Sequence, residues 1–109
     1  PEPDEAQRRA LIEKAKTVLP PKIERYAALM GVHPTRVTIT GARTRFGSCS
    51  GRNAISFSWR LMQYPEEAID YVVVHELAHI RHHDHSAAFY RFIASVMPDH
   101  EARRALLRQ

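Results

Sequence analysis

The stretch that most restricts how this chain can fold is Tyr71-Val72-Val73-Val74-His75-Glu76-Leu77-Ala78-His79. Residues 71–74 alone would suit a strand. No turn residue separates them from His75-Glu76-Leu77-Ala78-His79, so the whole run reads as one helix. It begins at Pro65-Glu66-Glu67, where proline fits a first turn and carboxylates favour the helix N-terminus. A helix that is apolar nearly all round has to be buried on several sides, so the remaining elements must wrap it. A step of four residues on such a helix sets His75 and His79 side by side, one turn apart.

Two imidazoles placed like that can share one zinc ion, with the intervening Glu76 close enough to act as general base without being a ligand. His85, six residues after His79, completes the spacing H-E-x-x-H-x5-H. That third ligand requires the helix to end just after His79 and the chain to turn back. One Zn2+ per chain is therefore the expected cofactor, with His75, His79 and His85 as ligands. His82 and His83 follow His79 too closely to reach back and read as surface residues at a helix end. Asp84 suits either a turn or an acceptor that orients a ligand imidazole.

A chain of 109 residues makes one domain with a modest core. It starts at Pro1-Glu2-Pro3 with no initiator Met, which allows a fragment of a longer protein. No apolar run approaches a membrane span, so no membrane partner is expected. A single Cys49 excludes an internal disulfide and suits a reducing, cytoplasmic setting. The net charge of +4 reads first as solvated surface and only second as a hint of an acidic partner such as nucleic acid.

Residues 4–18 carry a helical apolar stripe of Leu11, Ala15 and Val18, with Asp4 and Glu5 at its N-terminus. Pro20-Pro21 is expected to break it, and a second helix follows to about Met30, ended by Gly31. Residues 37–40, 43–46 and 53–59 read as strands of a small antiparallel sheet, with Ile55, Phe57 and Trp59 facing the helices. Ser86 can cap a helix through Met97, and Asp99 a short last one over residues 100–107. The expected fold class is α+β, with about three strands packed on a central active-site helix and flanking helices.

Taken in order, Arg45-Phe46-Gly47-Ser48-Cys49-Ser50, Ile55-Ser56-Phe57-Ser58-Trp59-Arg60-Leu61, Pro65, residues 69–79 with the H-E-x-x-H motif, His85-Ser86 and Phe89-Tyr90 resemble the YgjP-like metallopeptidase family. That family is related to the SprT-like and WLM zinc proteases and to the minimal gluzincin fold. The resemblance implies a zincin-like core, zinc on His75, His79 and His85, and Glu76 as general base in peptide-bond hydrolysis. The chain departs from the family's usual Trp at Phe46 and usual Phe-Trp at Phe89-Tyr90. Metzincins share the three-histidine spacing but carry glycine where His82 stands, so His82 needs a positive φ or a different turn. Met97 reads as core rather than as a Met-turn.

The expected partner is a peptide or protein substrate. It would pair as an extended strand with residues 53–59 or 43–46, and Ser48, Cys49 and Tyr90 are the candidate contacts. Cys49 reads as a small packed residue in preference to an inhibitory thiol, and Tyr90 and Tyr64 are the candidate oxyanion donors. Two rival functions remain at this stage. One is a DNA-associated, SprT-like protease module, for which no DNA-reading motif is present. The other is a structural zinc domain without turnover, which would have no use for Glu76.

Overall fold

A computed structural model of the chain describes residues 2–108. The first helix, α1 (Glu5–Met30), opens with a reciprocal cap in which Asp4 and Gln7 each accept the other's backbone N–H at 2.8 Å. It closes at Gly31, whose φ of 68° is the left-handed cap that glycine takes without cost. Pro20 and Pro21 lie inside this helix instead of ending it. Each removes one backbone donor, at about 3 kcal/mol in a helix interior. The buried stripe of Ala15, Leu19, Ile23, Tyr26, Ala27 and Met30 runs straight through them, so packing on the rest of the core outweighs that cost.

The strands are β1 (Arg36–Thr40), β2 (Gly47–Cys49) and β3 (Ala54–Ser58), in the order β1-β3-β2. The sheet is mixed: β3 pairs antiparallel with β2 but parallel with β1, correcting the all-antiparallel expectation. β3 carries Ile55 and Phe57, 2% and 0% exposed. The most apolar strand takes the middle, leaving the polar β1 and the small-residue β2 as edges. β2 and β3 are joined by a tight turn in which the Ser50 hydroxyl accepts from the Arg52 and Ala54 amides. Residues 43–46, expected as a strand, belong to the connection before β2. Its carbonyls are held from the far side of β3, Ala42 by the Ser58 hydroxyl (2.7 Å) and Gly41 by Arg60.

Trp59 leaves the strand for a 3-10 turn (Trp59–Gln63), capped by Ser58, and stays buried there with Leu61 and Met62. Then comes α2 (Glu66–Arg81), with Pro65 at its N-cap and ten buried residues, as an apolar central helix requires. Lys22 and Tyr26 of α1 bind its Asp70. Lys22 Nζ is 2.6 Å from Oδ1, and the Tyr26 hydroxyl donates to Oδ2 at 2.9 Å. At the other end Arg81 donates to the Met30 carbonyl, one of those a helix C-terminus leaves unpaired. α3 (Ala87–Val96) is capped by Ser86, and Met97 after it is buried in the core as expected. α4 (His100–Ala105) and a final 3-10 turn (Leu106–Arg108) pack across the N-terminal half of α2. Among the described residues, no helix is long and apolar enough to cross a membrane.

Candidate metal centre

His75 and His79 stand one turn apart on α2, their ring centroids separated by 5.0 Å and edge to face. The third imidazole arrives through a turn. α2 ends at Arg81, His82 is extended (φ −132°, ψ 101°), and the Asp84 carboxylate accepts the Ser86 amide at 3.3 Å as α3 begins. His85 is thereby set against α2, its ring 4.7 Å from that of His79 and 5.7 Å from that of His75. One ligand atom from each of His75, His79 and His85 lies within 4.8 Å of the others, so the three could hold a metal ion. The extended His82 removes any need for the positive φ that a metzincin-like turn would impose.

The chemistry of these donors suits a cation such as zinc. His79 is 8% exposed, and its Nδ1 lies 2.9 Å from the His82 carbonyl. A carbonyl can only accept, so Nδ1 carries the proton and Nε2 keeps its lone pair for a metal. Burial pushes His79 below the ordinary histidine value; the His82 carbonyl opposes that, and the neighbouring His75 and His85 rings add to it. The neutral ring is the form a metal requires. The orienting role considered for Asp84 thus falls to the His82 carbonyl, while Asp84 holds the turn.

Behind the three rings sits Phe89, fully buried in the first turn of α3. It stacks on His79 at 4.2 Å and 17°, and meets His75 and His85 edge-on at 5.2 and 5.3 Å. In the sequence Phe89 stands out only as part of the Phe89-Tyr90 motif. Its position three residues after the capping Ser86, and four before the buried Ile93, was the available signal of an inward-facing ring. Glu76 is 6% exposed, with Oε2 3.2 Å from His75 Nδ1 and no Lys or Arg partner among the described residues.

The order of these parts is that of a known family. The family model described as YgjP-like, metallopeptidase domain matches residues 2–109. The chain belongs to the YgjP-like metallopeptidase family. Among solved structures, this YgjP-like domain is similar to the zymogen of abylysin, a metallopeptidase of Pyrococcus abyssi. The two share 22% identity over 78% of this chain and 87% of that one, with a TM-score of 0.69. At that identity the likeness establishes the zincin-like fold. No curated protein matches the chain significantly.

In the YgjP-like domain a groove of about 360 Å³ runs between β2 and the imidazoles, reaching His83 at one end. β2 forms its wall and has a free edge, since only β3 pairs with it; residues 53–59, one of the two expected docking edges, form the middle strand. Ser58 donates to Phe46 O and Ser50 to Ala54 O. By antiparallel alternation, the N–H and C=O groups of Gly47 and Cys49 then point away from β3. The Ser48 hydroxyl is held by that of Ser56 at 2.6 Å. Burial pushes the Cys49 thiol up, and the negative Glu76 pushes it further. Tyr90 is 38% exposed with its ring 6.3 Å from His85, whereas Tyr64 packs edge-on against Phe46. His83 meets Asn53 Oδ1 at 2.9 Å.

Gly47 allows β2 to lie against Glu76. A Cβ there would stand 2.9 Å from Glu76 Cγ, 3.2 Å from its Oε2 and 3.1 Å from the Ser56 carbonyl oxygen. The carbonyl belongs to the sheet, so the carboxylate has to move. Gly47→Ala is expected to cost about 1–3 kcal/mol of stability by overpacking. It should also slow peptide cleavage by about 10- to 100-fold through misplacement of Glu76. Chemical denaturation and steady-state kinetics on the purified variant measure the two effects; unchanged kinetics would mean that the position of Glu76 is not critical.

Proposed function

We propose that this domain is a zinc-dependent peptidase in which His75, His79 and His85 hold one zinc ion and Glu76 is the general base. Family membership supports a metallopeptidase, and the burial of Glu76 carries the finer reading. A carboxylate this deeply buried is ordinarily paired with a cation. Here its one polar side-chain partner among the described residues is His75, at the mouth of a groove. The cluster that could hold a metal consists of three imidazoles without Cys49, and three protein ligands with a place left open is the pattern of catalytic rather than structural zinc.

Bound zinc supplies a Lewis acid for the scissile carbonyl and lowers the pKa of water towards about 7. The chain's own residues do the rest. An extended substrate pairs with the outer edge of β2 through the Gly47 and Cys49 backbone, which brings one peptide bond across the groove beside Glu76. Glu76 Oε2 takes a proton from the attacking water and returns it to the leaving nitrogen, so a neutral amine departs. The His82 carbonyl and Phe89 keep the His79 ring from rotating while this happens.

Digestion of a diverse peptide mixture, read by mass spectrometry, tests the proposal. The zinc-loaded domain should cut a subset of peptides, lose this activity with a chelator and regain it when zinc is restored. Cleavage that persists after the metal has been removed would overturn the assignment.

A further inference from the structure

A second cavity, of about 300 Å³, lies on the other side of Glu76. It shares Gly47, His75 and Glu76 with the metal groove, so the two cavities flank the same carboxylate. A chain paired with β2 that leaves the metal groove past Gly47 arrives there directly. Its inner wall is apolar, built by Phe46, Val72 and Leu107. Its rim is cationic: Arg45 comes from the loop before β2, Arg104 from α4 and Arg108 from the final 3-10 turn.

These three arginines are set apart by converging on one cavity without a carboxylate of their own. Arg8, Arg9, Arg43, Arg60 and Arg103 each have a carboxylate partner. Arg45, Arg104 and Arg108 have none among the described residues, and all three are exposed at one opening. Two segments far apart in sequence bring them together, the loop before β2 and the C-terminal run that carries both Arg104 and Arg108, so no single solvated helix face accounts for the cluster. Tyr71, in the wall, feels it: burial pushes its phenol up, and the positive Arg104 opposes that shift. An apolar wall with a guanidinium rim matches a short apolar stem ending in a carboxylate, which the planar fork of arginine binds in bidentate fashion.

We propose that this cavity is a specificity subsite that selects a substrate carboxylate next to the scissile bond, held by Arg45, Arg104 and Arg108. The carboxylate comes from a Glu or Asp side chain or from the free C-terminus of the peptide. The proposal rests on the peptidase reading above. Glu76 adds a negative charge at the back of the same cavity, but it is outnumbered by the rim and set inward of it.

The test uses matched peptides built on a sequence that the zinc-loaded domain cuts, with Glu, Gln or Lys at the position entering this cavity. Each is made with a free and with an amidated C-terminus. The expected result is a preference for Glu over Gln of about tenfold in kcat/KM at low salt, shrinking as ionic strength rises. A preference confined to free C-termini would assign the terminal carboxylate as the ligand; one that survives amidation assigns the side chain. In the Arg45→Ala/Arg104→Ala double variant the Glu-to-Gln ratio should fall to within twofold of unity, and Arg104→Glu should favour Lys over Glu. A second arm needs no turnover. In the isotope-labelled protein, the side-chain Nε–H resonances of Arg45, Arg104 and Arg108 should shift with the amidated Glu peptide, and not with its Gln counterpart. Cleavage without a Glu or terminal-carboxylate preference would overturn the subsite and leave the peptidase reading standing. Shifted arginine resonances with no cleavage of any peptide would do the reverse.

Discussion

His75→Ala, His79→Ala and His85→Ala should each leave the purified domain with far less than the one zinc per chain expected of wild type, while His82→Ala and His83→Ala retain it. Loss of an outer-shell partner alone typically costs about 10- to 100-fold in metal affinity, and loss of a direct ligand costs more. With two imidazoles left, zinc should be stripped by gel filtration in the presence of a mild chelator. The contrast with the neighbouring histidines follows from their geometry. His82 serves His79 through its backbone carbonyl, which survives substitution by alanine. The His83 ring is engaged with Asn53. Elemental analysis of the five variants reads the outcome directly. Full zinc in His85→Ala would remove the exposed loop histidine from the ligand set and shift attention to another donor in the groove.

The metal cluster was legible because its geometry is almost entirely local. The four-residue step from His75 to His79 is a property of any helix, and the return of His85 needs only a helix end and a short turn. The caps were equally local: Asp4, Gly31 and Ser86 each sit at the helix end that their side chains, or the lack of one, suit best. What could not be read were features decided by distant partners. Alternating β-branched residues marked β1, but nothing in residues 36–40 says whether a strand at its side runs parallel or antiparallel. That direction belongs to the pairing with β3, which takes the middle of the sheet with its buried Ile55 and Phe57 and runs parallel to β1. Pro20 and Pro21 argue locally for a break, and the long apolar stripe of α1 overrides them.

The site shows the same division. Glu76 was evident from its neighbour His75, but its dependence on Gly47 was not, because that contact joins β2 to α2 across the fold. A second strand placed at Arg43–Phe46 follows from its extended-looking pattern; the strand is Gly47–Cys49 instead, and it opens on the glycine that fits against Glu76 and the Ser56 carbonyl. The gathering of Arg45 with Arg104 and Arg108 at one cavity was likewise invisible, since Arg45 lies far in sequence from the other two and all three look like ordinary surface charge.

The central claim is that Glu76 moves the proton in a zinc-dependent hydrolysis, and Glu76→Gln isolates it. Glutamine keeps the size of the side chain and can still meet His75 Nδ1, so the fold and the three imidazoles should be undisturbed. It lacks a basic carboxylate. A positioned general base typically contributes about 10²- to 10⁴-fold, or roughly 3–5 kcal/mol of barrier. The decisive measurement is the rate at which wild type and Glu76→Gln cleave one and the same chelator-sensitive peptide, with zinc content determined on both preparations. Equal zinc and a loss of at least about two orders of magnitude in rate are the expected result. Equal zinc with an equal rate would contradict the mechanism, because the proton would then be moving by a route that does not involve Glu76.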